Sequence, residues 1–315
     1  MALKNMPFFK KLKGFTLTEI LIAVLILGIV GGSVLMLGHT YIKHFEQANE
    51  ITVAKDRATM VLTYLEKRIL HAGLGMPLKA EEFEAAFEGL WNHQDFQGEQ
   101  WQRPVQEPEP PSFGEPYSES EVLLVAYAVP TTIFSISSGD INNDDGNPTP
   151  IEVTGLDEDK LAEDRPDQTK GWVVFPSREW PFKVKAWNNF SDPKIIELSV
   201  NGQKNWSVIE NDNLHYVRFM EAKVEDGTFK ARDLALINKK SGLQPIVEGV
   251  LDCRFTLDNN GLLAVSVLAR GNKKYTGFVT PEEVPRYWGT VKGEWRKYHL
   301  VALTRGWRIR NWRPE

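Results

Sequence analysis

Phe15 to Leu37 reads FTLTEILIAVLILGIVGGSVLML, and the reading of this stretch decides how the rest of the chain is organised. Its 23 residues hold one ionisable group, Glu19. As a helix it is roughly 34 Å long, enough to cross a hydrocarbon core of about 30 Å. The 14 residues before it carry Lys4, Lys10, Lys11 and Lys13 and no acid, whereas residues 38–58 set Lys43, Lys55 and Arg57 against Glu46, Glu50 and Asp56. The positive excess therefore lies on the N-terminal flank, which orients the helix with its N-terminus in the cytoplasm and the remaining chain outside. A secretory signal would have a shorter apolar stretch, of about 7–15 residues, followed by a small-residue cleavage site. Here the small residue, Gly14, comes first.

A lone carboxylate inside hydrocarbon costs about 2.5–3.5 kcal/mol, so Glu19 needs a use and a partner. The order of residues suggests both. A lysine-rich leader, then Gly14, Phe15, Thr16, Leu17 and Glu19 opening a long apolar helix, resembles the class III signal of type IV prepilins and type II secretion pseudopilins. That resemblance implies cleavage after Gly14 by a prepilin peptidase on the cytoplasmic face and N-methylation of Phe15. It also implies an assembly role for Glu19, which would meet the amino group of Phe15 of a neighbouring subunit. The protein would be the substrate of that peptidase and not itself an enzyme. Removing the four leader lysines takes the net charge from −5 to −9. One feature departs from the family, whose helices commonly carry a proline late in the apolar segment. None is present, and Gly28, Gly31 and Gly32 take its place as weak points, at about 1 kcal/mol each relative to alanine.

Beyond His39 the apolar positions Ile42, Phe45, Ala48, Ile51, Ala54, Ala58, Val61, Leu65, Ile69 and Ala72 recur every three or four residues. This spacing predicts one amphipathic helix continuing out of the membrane, with charged residues on its other face. Gly73, Gly75 and Pro77 should end it. A coiled-coil dimer is the other reading of such a stripe; a spine that passes from membrane to domain core ranks first.

The remaining composition is that of a globular protein. At 315 residues with 42% hydrophobic, 11% aromatic and 25% charged residues, the chain is neither wholly disordered nor a multi-span membrane protein. The single cysteine, Cys253, excludes an internal disulfide and a Cys-based zinc site. Residues 78–120 hold five prolines from Pro104 to Pro116 among many acids and read as an irregular insertion in which only Glu81–Leu90 could turn helical. From Glu121 the texture is strand-like. The expected strands are Val122–Val129, Thr131–Ser137, Trp172–Phe175, Ile195–Val200, His215–Met220, Leu234–Asn238, Val250–Leu257, Leu263–Leu268, Tyr298–Leu303 and Trp307–Trp312. In Val250–Leu257, Leu251, Cys253, Phe255 and Leu257 should share one face. Asn201-Gly202, Asp226-Gly227 and Asn260-Gly261 favour antiparallel hairpins. The fold class is therefore α+β, a long N-terminal helix, membrane-spanning then amphipathic, packed on an antiparallel sheet in the manner of type IV pilins. Its segments are a leader over 1–14, a transmembrane or filament-core helix over 15–38, an amphipathic spine over 39–77, the insertion over 78–120 and a β-rich domain over 121–315.

Weaker patterns resemble the large minor pilins of the PilW kind. They are Tyr64-Leu65-Glu66-Lys67-Arg68-Ile69 with Ala72-Gly73, Asp233 to Ile237, Glu248 to Asp252, and the ending Trp307-Arg308-Ile309-Arg310-Asn311. The J-like pseudopilin of type II secretion, also long, is the alternative within the family. A membrane-anchored binding module that never polymerises is the alternative outside it. The resemblance implies the prepilin peptidase, a major pilin, other minor pilins, an inner-membrane assembly platform and, before assembly, the lipid bilayer as partners. It places the chain in the inner membrane with a periplasmic domain, then in a pilus or pseudopilus, where a large globular part suits initiation or the tip.

Asp140, Asn142, Asp144 and Asp145 resemble the start of a calcium loop, but Gly146 and Glu152 each fall one residue late for an EF-hand. A solvated acidic loop accounts for them ahead of a calcium site of another kind, so no cofactor is expected. Residues 79–170 hold 21 acids against five Lys and Arg, and residues 286–315 hold eight Lys and Arg against two acids, which reads first as two solvated faces and second as contacts between oppositely charged subunits. The arginine–tryptophan tail from Trp307 to Arg313 reads as a packed edge strand ahead of a nucleic-acid site. The six histidines lack metal-ligand spacing, and no nucleophile elbow, Walker A or dinucleotide motif occurs. Cys253, on an apolar strand face, reads as core.

Overall fold

A computed structural model describes residues 16–88, 103–106, 122–141, 147–155, 171–188, 193–201, 206–233, 242–258, 260–284, 288 and 290–309. The helices are α1 (Leu17–Ile69) and α2 (Ala80–Ala86). The first strands are β1 (Val105–Gln106), β2 (Leu123–Ser135), β3 (Gly139–Ile141), β4 (Thr149–Thr154), β5 (Trp172–Val174), β6 (Phe182–Asn188) and β7 (Lys194–Ser199). After them come β8 (Trp206–Val208), β9 (Asn213–Glu225), β10 (Thr228–Asp233), β11 (Gln244–Glu248), β12 (Val250–Leu257), β13 (Leu262–Arg270) and β14 (Leu300–Arg308). Two compact units result, Met1–Asn49 and Glu50–Glu315.

Among the described residues of the second unit every strand pairing is antiparallel, and the pairings β2–β4, β4–β7, β7–β6, β6–β5, β5–β9 and β9–β2 close a ring of six strands. Closure removes the exposed edges that a flat sheet of this size would carry. One face of each ring strand feeds a common core that includes Leu124, Ala126 and Ala128 of β2, Ile151 and Val153 of β4, Phe182 and Val184 of β6, and Ile196 and Leu198 of β7. The insertion contributes to it. α2 lies in the stretch expected to turn helical, and Phe83 and Phe87, both fully buried, join this core with rings 4.8 Å apart.

β2 and β9 are walls with a core on each side. Leu123, Val125 and Tyr127 of β2 and Met220, Ala222 and Val224 of β9 face away from the ring, toward Ala58, Val61, Leu62, Leu65, Ile69 and Ala72. Leu123–Ala128 of β2 and Leu214–Ala222 of β9 are buried without a break, although His215, Arg218 and Glu221 interrupt the apolar residues of β9. Burying a Val, Leu or Ile of the helix here contributes about 1.5–3 kcal/mol. Cys253, Phe255, Val265, Val267 and Trp307, from a three-stranded sheet ordered β12-β13-β14, complete this second core. An α+β fold with a long N-terminal apolar helix and an antiparallel sheet packed on it is thus what the chain adopts.

Several details differ from the sequence expectation. α1 ends at Ile69, short of the glycines, because Gly73 N–H and Ala128 N–H bond across to Ala126 and His71 carbonyls and draw the chain alongside β2. Its apolar stripe is buried from Ala54 onward, whereas Ile42, Phe45 and Ile51 are exposed. Val122–Val129 and Thr131–Ser137 are one strand, β2, irregular between Pro130 and Phe134, where proline lacks a ladder donor. The two C-terminal strands are likewise one, β14, running through Gly306. Leu251 leaves the face of Cys253: a register shift between Val250 and Asp252 turns Val250 to the helix side and packs Leu251 against the cluster of Val284, Trp288 and Val291. The Asp226-Gly227 turn joins β9 to β10 with both residues at positive φ. The stretch expected as Leu234–Asn238 lies outside the described residues.

Candidate functional site

The start of α1 is built by two residues. Thr16 N–H and the Thr16 hydroxyl both donate to Glu19 Oε2 at 2.9 Å, and Glu19 N–H donates to Thr16 Oγ1 at 3.3 Å. This reciprocal box gives the Thr16 N–H an acceptor, adds the Thr16 hydroxyl to the carbonyl that the Glu19 N–H already meets, and gives the carboxylate donors within its own chain. From Leu17 to Leu37 the large apolar side chains are exposed, and the Ser33 and Thr40 hydroxyls donate back to the carbonyls of Ile29 and Met36. The Ser33 and Thr40 hydroxyls therefore need no partner from hydrocarbon. Among the described residues α1 is the one helix long and apolar enough to cross a bilayer. It runs unbroken through Gly28, Gly31 and Gly32.

A second group of charges seats the buried half of α1. Glu50 is buried, and its Oε2 accepts Lys273 N–H at 2.8 Å. Arg57 donates to the Arg270 carbonyl at 2.6 Å and to Asn272 Oδ1 at 2.5 Å. Burial and the nearby Arg270 lower the Arg57 guanidinium from its usual value, against Glu50 and Glu248. Two glycines make room: a Cβ on Gly249 would lie 2.6 Å from Arg57 Nη1, and one on Gly271 would overlap Glu50 Oε2. Further along, Glu66 accepts from Arg305 Nη1 at 3.0 Å and from Trp307 Nε1 at 3.4 Å, tying α1 to β14. Tyr127, buried beside Asp233, has its phenol pushed up, first by burial and then by that carboxylate.

Residues 9–35 match the prokaryotic N-terminal methylation motif. The chain carries a type IV prepilin-like class III signal. With α1 and its sheet, this motif supports a type IV pilin-like or pseudopilin-like protein and fits anchoring in the membrane by a single helix. A signal of this kind implies processing by a prepilin peptidase and pilus-type assembly. No curated protein and no solved structure matches the chain.

The residues singled out from sequence do not gather at one place. Glu19 stands in the first turn of α1, while Gly14 and Phe15 lie outside the described residues. Asp140 is an exposed residue of β3, opposite Ser207 of β8, and Asn142, Asp144 and Asp145 lie outside the described residues. Among the described residues no three His, Cys, Asp or Glu side chains converge as a metal ion would require. Sequence reasoning did not single out Thr16 as the partner of Glu19, although Thr-x-x-Glu ahead of an apolar run is a capping-box pattern. It also missed Glu50, whose signal is a charge four and eight residues before Ala54 and Ala58 on the buried stripe.

Proposed function

We propose that this prepilin-like protein is a large minor pilin of the PilW kind, which enters a type IV pilus or primes its assembly. In this reading a prepilin peptidase cleaves after Gly14 and methylates the amino group of Phe15. Glu19 then meets that amino group on a neighbouring subunit, so that the one charge in the apolar segment draws the next subunit into register. The role is structural, in contact with a major pilin, other minor pilins and an inner-membrane assembly platform, and the globular part is periplasmic before assembly. The observation that carries this reading is the complete signal placed directly on a helix exposed through its apolar half and buried on a sheet through the other. The same signal supports a J-like pseudopilin of type II secretion.

Intact mass of the protein from its native membrane tests the processing step. The expected species begins at methylated Phe15, and a chain retaining Met1 in cells with an active prepilin peptidase overturns the assignment. Filament formation in a deletion strain complemented with Glu19→Val tests the assembly step. The variant should insert and be cleaved, because its desolvation cost is gone, yet fail to support filaments. Normal filaments containing it would remove Glu19 from assembly. Deletion strains scored separately for pili and for secretion distinguish the pilus from the pseudopilus.

A further inference from the structure

β1 and β11 end the large sheet of the second unit, and β12 and β14 end the three-stranded one. Three of these edges are blunted. β1 is two residues long beside Pro104, and β11 is five residues long with Pro245 inside it. On β12 the outward Cys253 N–H is taken at 2.9 Å by the Asp252 carboxylate. Short strands, prolines and side chains set on the backbone keep a sheet edge from pairing with another chain. β14 carries none of these devices. It runs nine residues without a proline, and its register with β13 is unbroken from Leu300 to Arg308. Gly271 N–H donates to the His299 carbonyl and Ile309 N–H to the Gly261 carbonyl, so the odd residues of β14 turn their backbone groups to β13 and the even ones turn theirs outward. Thr304, Gly306 and Arg308 are exposed, and among the described residues their outward backbone groups meet no partner.

The side chains along this edge state what fits it. On the helix side stand Leu303, Arg305 and Trp307; Arg305 lies 3.0 Å from Glu66 and is still 50% exposed. On the other side stand Thr304, Gly306 and Arg308. Asp258, the carboxylate near Arg308, already accepts the Asn260 and Leu262 N–H groups at 2.9 and 2.7 Å. Residues 290–309 hold five Lys and Arg against one acid, Glu294, in a chain whose net charge is −5. An added antiparallel strand would set carboxylates opposite Arg305 and Arg308, a β-branched residue opposite Thr304 and an aromatic ring over the bare Gly306. We infer that the Thr304–Arg308 edge of β14 accepts an extended acidic segment of another polypeptide as an added antiparallel strand. Backbone hydrogen bonds supply the attachment, and the two arginines select the sequence. A second copy of β14 is the poorer occupant, because it brings the Arg305 and Arg308 of both copies to one seam. The inference goes beyond the filament reading and needs neither cleavage nor assembly to hold.

The probe is a synthetic peptide, fluorescein-Gly-Gly-Glu-Val-Tyr-Glu-Thr-Val-amide, whose last six residues lie opposite Arg308 to Leu303 in turn. Its anisotropy is titrated with the full-length protein in nonionic micelles. Saturable binding with a Kd on the order of 0.1 mM is expected for so short a strand. N-methylation of the peptide Tyr and Thr, which removes two donors to the edge, should weaken binding about tenfold or more. Replacing both peptide Glu by Lys should do the same, and Arg308→Glu should restore binding of the lysine peptide. Hydrogen exchange should slow over 300–309 and stay unchanged over 244–248, the β11 edge. Equal binding by the N-methylated peptide overturns strand addition, and equal binding by the lysine peptide overturns the acidic partner. Absence of binding, or protection at 244–248 in place of 300–309, overturns the assignment of the edge. Sedimentation of the free protein as a dimer that the peptide dissociates makes a second copy the occupant and overturns the acidic partner as well.

Discussion

Gly271→Ala should destabilise the globular unit through one added methyl group. Gly271 does not use a left-handed backbone, so no conformational strain comes with alanine. The cost is steric and electrostatic. The new Cβ would overlap Glu50 Oε2 and lie 3.0 Å from the Glu50 carbonyl oxygen and 3.1 Å from Glu50 Cβ. A side-chain end can swing away, but the carbonyl belongs to the helix backbone, so α1 or the loop must move. Overpacking of this kind costs about 1–3 kcal/mol. If the carboxylate swings, it gives up the Lys273 N–H, a hydrogen bond to a charged group that contributes about 1.5–3 kcal/mol. The two responses are partly alternatives, so a net loss of about 2–4 kcal/mol is expected. At roughly 2–4 °C per kcal/mol for a domain of this size, the melting temperature should fall by about 4–16 °C. The assay is thermal and urea unfolding of a fragment beginning at His39, which lacks the apolar segment. Gly277→Ala, on the same loop with open space around its Cβ, is the matched control and should move the midpoint little. Equal midpoints for the two variants would refute the reasoning that the root of the loop is closed against the helix.

Phe87→Ala should cost about 3–5 kcal/mol, because a fully buried ring with Phe83, Trp172 and Phe219 at 4.8, 5.1 and 5.3 Å is removed from the ring core. Urea unfolding measures it, and a surface-like loss below 1 kcal/mol would mean that α2 does not plug the ring. Acid should weaken the same fragment. Burial lowers the pKa of His215 and of His299, so both are held neutral in the folded chain. Their contribution is fully present above the ordinary 6.5 and declines as pH falls below it toward their lowered values, by at most about 1.4 kcal/mol per pH unit for each. Asp252, raised by burial against Arg254, acts in the opposite sense between 3.8 and its raised value. His215→Gln should therefore flatten the stability profile between pH 7.5 and 5.5, and an unchanged slope would show that His215 does not titrate in folding.

The parts legible in the sequence are those written in a single period or a single motif. Phe15–Leu37 and its continuation announce α1 from Leu17 onward, and the period of two in β12 announces a strand. What stayed hidden depends on partners far along the chain. β6, β10 and β4 were not expected because Lys183 and Lys185, Lys230 and Arg232, and Pro150 dilute their apolar residues, although Val184, Phe229 and Ile151 are buried. The closing of the ring requires β9 to meet both β2 and β5, which no local pattern encodes. Of the candidate site, Glu19 and the cleavage motif are local and were readable. The seat of α1 joins Glu50 and Arg57 to residues 270–273, more than 200 positions away, and only the fold brings them together.

That separation along α1 divides two kinds of failure. Among the described residues the Glu19 side chain accepts from Thr16, whereas the side chains of Glu50, Arg57 and Glu66 bond across to the loop at 270–273 and to β14. Glu19 is exposed and takes part in none of the hydrogen bonds that hold Glu50, Arg57 and Glu66. A change at Gly271 leaves the first turn of α1, and with it the signal, in place. The two variants should then be opposites, Glu19→Val stable but unable to assemble, and Gly271→Ala cleaved normally but prone to unfold. If Glu19→Val lowered the stability of the globular unit, its loss of filaments would no longer speak for a charge pair between subunits. Measuring both variants for cleavage and for protease resistance in the same membranes therefore decides whether an assembly defect at Glu19 belongs to the filament or to the fold.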